Sequence, residues 1–206
     1  MHAREGVGGD PLGRQLTAGP GPPAMPEVPD GTWVHRGESV VYDSEWVRLV
    51  VADVVMPDGT QVDHHVVRTP HAAAGTIVLD DDRVLLLYRH RFITDTWGWE
   101  IPAGRIDPGE SPQDAARRET LEESGWEPQA LTPLCAFHPA NGLLDQTFHI
   151  FTATDAVHRG EPDDRNEAAR IEWIDRVEVR ELLLAGEITD GLSFGAISFA
   201  IAAGVM

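Results

Sequence analysis

Residues 104–126 read GRIDPGESPQDAARRETLEESGW, a glycine-containing loop followed by a helix with a signal at each end. The Pro-Gly pair of the loop interrupts regular structure before Ser111. Ser111 suits the N-cap of a helix, and Pro112 suits its first position, where a missing N–H costs nothing. Gly125 suits the C-terminal exit, because glycine adopts the left-handed conformation without strain. The stretch therefore predicts a helix over residues 111–124.

The second half of this helix carries three glutamates. Glu119, Glu122 and Glu123 stand at i, i+3 and i+4, so at about 100° per residue they share one face. Carboxylates this close repel one another unless water or a cation surrounds them. One turn earlier the same face has Ala115 and Ala116, which predicts room for a ligand. Such a stripe alone is usually a solvated helix face, but it also suits a hard divalent cation such as Mg²⁺ or Mn²⁺.

The residues around the stripe separate these two interpretations. The order is Gly104, five residues, Glu110, seven residues, Arg118-Glu119, two residues, Glu122-Glu123, one residue and Gly125. This pattern resembles the Nudix box of hydrolases that act on nucleoside diphosphate derivatives. Of the two apolar positions of that box, Trp126 fits and Thr120 departs, which bears on packing rather than on metal binding. The resemblance favours a metal-binding stripe.

The resemblance implies a loop-helix-loop that binds Mg²⁺ or Mn²⁺. Carried over onto this sequence, Glu119 and Glu123 are the principal metal ligands, and Glu122 is a ligand or the general base. The backbone carbonyl of Ala103, next to Gly104, is a further metal ligand. Such a site can polarise a phosphoryl oxygen and activate a water molecule. The expected reaction is attack of water on a phosphorus of a pyrophosphate bridge.

Two further residues of the box have supporting roles in this resemblance. Arg118 would orient a glutamate as part of the catalytic group, and Glu110 would brace the loop. The rival interpretation is a non-catalytic Nudix-like module that binds nucleotides or regulates another protein. Such modules often lose box glutamates or carry a DNA-binding appendage, and the sequence shows neither feature.

Hydrophobic patterning outside the box predicts a layered α/β protein. Strand-like runs fill residues 33–68, broken by the turn Pro57-Asp58-Gly59, and a second hairpin over residues 76–88 is apolar on both faces, as central strands are. The resemblance implies a Nudix-type α/β/α sandwich with a mixed sheet and an added N-terminal antiparallel β-subdomain. The remaining predicted elements are strands near 134–138, 148–152 and 171–174 and helices near 177–185 and 194–203.

The chain divides into three predicted parts. Residues 1–30 are rich in glycine and proline with scarcely a bulky apolar side chain, so a disordered tail is expected. Residues 31–70 form the β-subdomain, and residues 71–206 form the Nudix hydrolase domain. In the branch of the family that this chain resembles, the N-terminal strands usually pair two subunits, so the resemblance implies a homodimer.

Charge and composition limit the partners. The 206 residues include 34 acidic and 16 basic ones, a net charge of −18, which argues against a sequence-independent grip on nucleic acid. The same charge repels a polyanionic substrate, so divalent cations and a few placed arginines are needed to offset it. A lone cysteine, Cys135, excludes an intramolecular disulfide. No run suits a signal peptide or a membrane span, which predicts a cytoplasmic protein without a membrane partner.

Segments around the box resemble the ADP-ribose and nucleotide-sugar pyrophosphatase branch of the family over most of residues 33–204. Guanidinium groups at the end of the strand that leads to the box could clamp phosphates, and the alternative is a pair of surface arginines. We therefore assign substrate binding to Arg89 and Arg91, with Glu100 and Arg68, and expect ADP-ribose or a nucleotide sugar as substrate. The segments that carry the resemblance are Tyr88-Arg89-His90-Arg91, Trp99 to Gly104 and Gly186 to Gly191.

The loop after the helix departs from that branch. Pyrophosphatases of the branch often place a glutamate, a candidate general base, at the position that Gln146 takes here. An amide cannot take a proton from water at neutral pH. The base would then be Asp145, a box glutamate, or water activated by metal alone. GDP-sugars and UDP-sugars stay open as substrates beside ADP-ribose.

Overall fold

The computed structural model describes residues 31–163 and 168–206. The predicted tail, residues 1–30, lies outside the described residues. The strands are β1 (Val34–Asp43), β2 (Arg48–Val55), β3 (Gln61–Arg68), β4 (Ala73–Asp80), β5 (Arg83–Arg91), β6 (Thr96–Glu100), β7 (Ala103–Arg105), β8 (Trp126–Pro128), β9 (Leu131–Phe137), β10 (Phe148–Ala153), β11 (Ala156–His158) and β12 (Arg170–Asp175). The helices are α1 (Pro112–Ser124), α2 (Arg176–Ala185) and α3 (Gly191–Ala202).

The first three strands form a separate antiparallel sheet in the order β1-β2-β3. The turn between β2 and β3 lies at the predicted Pro57-Asp58-Gly59, where Gly59 takes a φ of +87° that suits glycine. β1 is exposed along nearly its whole length. Alternate residues of β2 are buried, namely Val50, Ala52 and Val54. The predicted antiparallel N-terminal sheet is confirmed.

The larger sheet is mixed. Its main path is β12-β5-β4-β10-β9, with β6 paired to β5 and β7 paired to β4. β10 runs parallel to β4, and the other pairings are antiparallel. β4 and the middle of β5 are buried on both faces, as their unbroken apolar runs predicted. Strand β7 is therefore fixed to the centre of the sheet shortly before helix α1 begins.

Helices cover both faces of this sheet. Ala74 and Val78 of β4 pack in the core beneath α1, whereas Ile77 packs in a second core with Ile197 of α3. This alternation follows from the two-residue period of a strand. The predicted α/β/α sandwich is confirmed. None of the described helices is long and apolar enough to cross a lipid bilayer.

Helix α3 begins three residues earlier than its apolar run predicted, at Gly191 instead of residue 194. The reason is a cap. Asp190 is the N-cap, and its carboxylate accepts hydrogen bonds from the backbone N–H of Ser193 at 2.8 Å and from the Ser193 hydroxyl at 2.9 Å. The Ser193 hydroxyl in turn accepts a hydrogen bond from Ile101 N–H at 3.1 Å. The start of α3 is thereby tied to the segment that leads into the box.

Candidate active site

Helix α1 is fixed at both ends by the residues that predicted it. Ser111 is the N-cap, and its hydroxyl accepts a hydrogen bond from Asp114 N–H at 3.1 Å. Gly125 ends the helix with a φ of +75°. A β-carbon on Gly125 would collide with the carbonyl oxygen of Gly160, so the close packing of these two backbones requires glycine. The helix predicted over residues 111–124 is confirmed.

The face of α1 one turn before the glutamates is not a ligand site. Ala115 and Ala116 are fully buried against the sheet, so the prediction that they leave room for a ligand is wrong. Small side chains are needed there because the helix packs close to the strands, and the Thr76 hydroxyl donates to the Ala116 carbonyl at 3.2 Å. Thr120, which departs from the box, is also fully buried, and its hydroxyl donates to the same carbonyl at 2.6 Å. Its polar group is therefore satisfied within the protein.

The loop before the helix lies directly over the glutamates. A β-carbon on Gly104 would stand 2.1 Å from the carboxyl carbon of Glu119, so the loop can come this close only because Gly104 has no side chain. The backbone N–H of Ala103 donates to the Glu123 carboxylate at 2.8 Å. Pairing of β7 with β4 holds both loop residues in place. The structure therefore brings together the loop and two of the glutamates that were expected to bind metal.

Arg118 joins this loop to the glutamates. Its guanidinium donates to Glu110 at 3.0 and 2.9 Å, to Glu119 at 2.7 Å and to Glu122 at 3.0 Å. It also donates to the backbone carbonyl of Arg105 at 2.9 Å. The hydrogen bonds between Arg118 and Glu110 raise the pKa of the arginine and lower the pKa of the carboxyl group. Arg118 thus pairs with Glu110 of the loop and with two glutamates of the helix, Glu119 and Glu122.

Four charged side chains with alternating signs lie next to one another, in the order Glu123, Arg89, Glu100 and Arg91. Arg89 donates to Glu123 at 2.8 Å, and its Nε lies 3.7 Å from a Glu100 oxygen. Arg91 donates two hydrogen bonds to Glu100, at 2.9 and 2.5 Å, and this pairing raises the pKa of Arg91. Arg89, Glu100 and Glu123 are each at most 5% exposed. Charges buried this deeply are tolerated only when each has an opposite partner, so the set holds Glu123 in place.

One open cavity of about 440 Å³ is lined by two of the glutamates and by basic side chains. Its lining combines groups that can bind a metal with groups that can bind an anion. The lining residues are Arg89, His90, Arg91, Ala103, Gly104, Arg105, Glu119 and Glu123. Acidic side chains for a cation and basic side chains for phosphate oxygens therefore share one space.

The donor chemistry of this cavity fits a hard divalent ion. Glu119 and Glu123 line the cavity and offer carboxylate oxygens, and Ala103 adds a backbone carbonyl. Glu122 is joined to Glu119 through Arg118, which donates to both. Within residues 31–163 and 168–206, no three side chains are already arranged around a single metal position. In this arrangement guanidinium groups pair with all three carboxylates, so positive charge lies among the glutamates.

Asp145 and Arg68 lie elsewhere, in a second cavity of about 310 Å³ between β3 and the loop over residues 138–145. The Asp145 carboxylate accepts hydrogen bonds from Thr69 N–H at 2.8 Å and from Arg68 at 3.3 Å. Burial raises the pKa of Asp145, but these hydrogen bonds outweigh it, and the pKa falls below its usual value. In the described part of the chain, the hydrogen-bond partners of the Asp145 carboxylate are Arg68 and Thr69 and include no box residue.

Two features of the site escaped the sequence analysis. Arg105 lines the main cavity, and its guanidinium carbon lies 4.2 Å from the ring centre of Trp46 in the β1–β2 turn. Ser193 accepts the hydrogen bond from Ile101 described above. Both contacts join segments far apart in the chain, so residue type and spacing gave no signal for them. For Arg105 the one available hint was a cation placed directly after Gly104.

Known proteins resemble this chain in sequence and in fold. The family model of the NUDIX domain matches residues 69–191. A CMP-5'-(N-acetyl-N-hydroxy-3-aminopropyl)phosphonate hydrolase of Streptomyces rubellomurinus is 40% identical over 167 residues, 81% of this chain and 81% of that protein. An ADP-ribose pyrophosphatase of Bacillus subtilis is 27% identical over 161 residues, 77% of this chain and 87% of that protein. A crystal structure of an ADP compounds hydrolase shares the fold, with a TM-score of 0.74 at 20% identity over 87% of this chain and 96% of that chain.

The chain therefore belongs to the Nudix hydrolase family, as its box predicted, and is classed as a Nudix pyrophosphohydrolase. Its expected resemblance to the ADP-ribose pyrophosphatase branch is confirmed by the relatives that match.

Proposed function

We propose that the protein hydrolyses the pyrophosphate bond of a nucleoside diphosphate linked to another group, with Mg²⁺ or Mn²⁺ as cofactor. The observation that carries the proposal is the cavity lined at once by Glu119, Glu123, the Ala103-Gly104 loop and several cationic side chains. A pyrophosphate bridge needs this combination, because its charge must be offset while water attacks phosphorus.

The proposed metal ligands are Glu119, Glu122, Glu123 and the Ala103 carbonyl. A divalent ion bound there supplies stabilisation of phosphoryl charge and makes water a better nucleophile. Arg118 keeps Glu119 and Glu122 side by side by pairing with both. The N–H of Ala103 keeps Glu123 in place. The carboxylates are therefore positioned before a substrate arrives, which reduces the reorganisation needed during the reaction.

Among the candidates for the general base, the geometry favours Glu122. Its side chain is 42% exposed, compared with 16% for Glu119 and 6% for Glu123, so it has the best access to water. Asp145 is a weaker candidate, because a carboxylate whose pKa is lowered accepts a proton less readily. The Asp145 carboxylate also pairs with Arg68 beside the second cavity, whereas Glu122 shares Arg118 with Glu119.

Exposure, cavity lining and ion pairing support a substrate-binding role for some of the predicted residues and weaken it for one. Arg91 is half exposed and lines the main cavity, so it can reach a substrate while it holds Glu100. Arg89 is buried, but its Nε and Nη2 groups have no hydrogen-bond partner among the described residues, which supports a role toward a phosphate oxygen. Glu100 orients these two arginines. The proposed role of Arg68 is weakened, because it lines the second cavity and pairs with Glu38 and Asp145.

For the substrate we propose ADP-ribose or a nucleotide sugar, as for the ADP-ribose pyrophosphatase of Bacillus subtilis. A second candidate is a nucleoside monophosphate joined to a phosphonate. The relative from Streptomyces rubellomurinus, at 40% identity, favours it, because its name describes such a compound. Both classes contain a phosphorus-oxygen-phosphorus bridge that the same cavity can hold.

We further propose that the protein is a homodimer that pairs through its N-terminal sheet. Large apolar side chains are exposed on β1, namely Val34, Val40, Val41 and Tyr42. Covering them would remove apolar surface from water. Light scattering after size exclusion would report twice the mass of the chain, and a monomer would contradict the proposal. A cytoplasmic location, expected because no run of the sequence suits a signal peptide or a membrane span, stays a prediction.

The decisive experiment is a substrate panel with Mg²⁺ and Mn²⁺. The panel contains ADP-ribose, GDP-sugars and UDP-sugars, a CMP-phosphonate, a dinucleoside polyphosphate and nucleoside triphosphates, and the readout is release of nucleoside monophosphate or phosphate. We expect turnover of a diphosphate-linked compound that requires the metal. Binding of such a compound without any turnover would favour the alternative, a non-catalytic Nudix-like nucleotide-binding or regulatory module.

A further inference from the structure

Three arginines and His90 line the main cavity, and one of the arginines differs from the other residues in its partners. Arg89 pairs with Glu123, Arg91 pairs with Glu100, and His90 pairs with Asp95. Over residues 31–163 and 168–206, Arg105 is the cavity-lining cation whose side chain has no carboxylate partner. The guanidinium group of Arg105 therefore keeps its positive charge available in the cavity, in a protein whose net charge is −18.

Arg105 is held in place by other means. Its guanidinium carbon lies 4.2 Å from the ring centre of Trp46, in the loop between β1 and β2. Its backbone carbonyl accepts a hydrogen bond from Arg118 at 2.9 Å, and its strand, β7, is paired with β4. Both the backbone and the side chain are therefore positioned at the cavity.

Stacking on an indole uses the flat face of a guanidinium group. The N–H groups lie at the edge of that plane, so they stay available as hydrogen-bond donors. A planar set of donors with a full positive charge matches two oxygens of a phosphate or phosphonate group. Arg105 therefore brings N–H donors and a positive charge into the same cavity as Glu119 and Glu123.

We propose that Arg105, positioned by Trp46, binds a phosphate or phosphonate oxygen of the substrate. This inference rests on the proposed function and deepens it, because it assigns an anion contact to a residue outside the Tyr88 to Arg91 segment. It also gives the N-terminal sheet a role in the site, since Trp46 belongs to that sheet's first hairpin. Arg105 touches the substrate, and Trp46 acts through Arg105.

The first test compares Arg105→Gln with Arg83→Gln. The control removes the same charge from the first residue of β5, where Arg83 pairs with Asp80 and is half exposed. Loss of one charge-assisted contact is expected to raise KM roughly ten- to hundredfold in Arg105→Gln, with kcat changed far less. Arg83→Gln is expected to keep the KM of the unchanged protein. An unchanged KM in Arg105→Gln would overturn the proposal while leaving the hydrolase function intact.

The second test separates this inference from the proposed function. Calorimetric titration with ADP-ribose and a CMP-phosphonate in EDTA measures binding without turnover. We expect weaker binding to Arg105→Gln than to Arg83→Gln even if no compound in the panel is hydrolysed. Equal affinities of the two variants for both compounds would overturn the assignment of Arg105.

Two substitutions of Trp46 test its positioning role. Trp46→Phe keeps an aromatic face for the guanidinium, and Trp46→Ala removes it. We expect KM to rise in Trp46→Ala, by less than in Arg105→Gln, and to return close to the original value in Trp46→Phe. The double variant Trp46→Ala/Arg105→Gln should match Arg105→Gln alone. Additive effects in the double variant would show that Trp46 does not act through Arg105.

Discussion

Replacing Gly104 with alanine inserts one methyl group between the loop and helix α1. Its β-carbon would lie 2.1 Å from the carboxyl carbon of Glu119, whereas ordinary van der Waals contact begins at 3.4 Å. Either the carboxylate or the loop must therefore move by roughly 1 Å, and if Glu119 is the metal ligand proposed above, a displacement of this size is expected to lower turnover about 100-fold. Movement of the loop would also disturb Glu123, which accepts the hydrogen bond from Ala103.

The assay for Gly104→Ala is steady-state hydrolysis at rising Mg²⁺ concentration, with circular dichroism to check folding. We expect kcat to fall about 100-fold and the Mg²⁺ concentration for half-maximal activity to rise, with an unchanged spectrum. Gly191→Ala is the matched control, because nothing lies within 4 Å of its added β-carbon, and it should keep the original kinetics. Unchanged kinetics in Gly104→Ala would refute the reasoning that Glu119 must stay beneath the loop.

Four further predictions concern single residues. Glu123→Gln should lower turnover by orders of magnitude with the fold intact, and near-normal activity in the same assay would remove Glu123 from the metal site. Gln146→Glu should leave kcat unchanged if a box glutamate is the base, whereas a gain in rate would place the attacking water beside the loop. Arg89→Met should destabilise the fold by about 3 kcal/mol in urea unfolding, because it leaves Glu123 buried without its cation, and a loss below 1 kcal/mol would contradict that coupling. Asp145→Asn should cost about 1 kcal/mol at pH 7, a small value because the side chain is partly exposed. Since the folded pKa of Asp145 lies below its ordinary value of 3.8, the stabilisation is present above that pH and is lost as pH falls through the folded value. Urea unfolding at pH 7 and at low pH would measure the loss of unfolding free energy caused by Asp145→Asn. An equal loss at the two pH values would argue against the lowered pKa.

Much of helix α1 could be predicted because its signals are local. The cap at Ser111 and the exit at Gly125 depend on residues within one turn, and the structure confirms both. The glutamate stripe follows from helix geometry alone. The same reasoning failed for Ala115 and Ala116, because helix periodicity shows which residues share a face but not how closely that face packs against a sheet.

Contacts between distant segments could not be predicted in this way. The pairing of Arg89 with Glu123 depends on how α1 lies over the sheet, and the pairing of Asp145 with Arg68 spans 77 residues. Two arginines two positions apart on a strand predicted a phosphate clamp, but nothing in the sequence showed that buried carboxylates would face them. Partners therefore change what a charged residue can do, and they are set by the fold rather than by local sequence.

The central claim is that the box glutamates hold a metal that lets water attack a phosphorus atom. Hydrolysis of the best substrate in H₂¹⁸O, followed by mass spectrometry of both products, tests this most directly. We expect ¹⁸O in a phosphate or phosphonate group of one product, no reaction in EDTA, and recovery with Mg²⁺ or Mn²⁺ in the unchanged protein but not in Glu123→Gln. Turnover that persists in EDTA, or products without ¹⁸O on phosphorus, would contradict the claim.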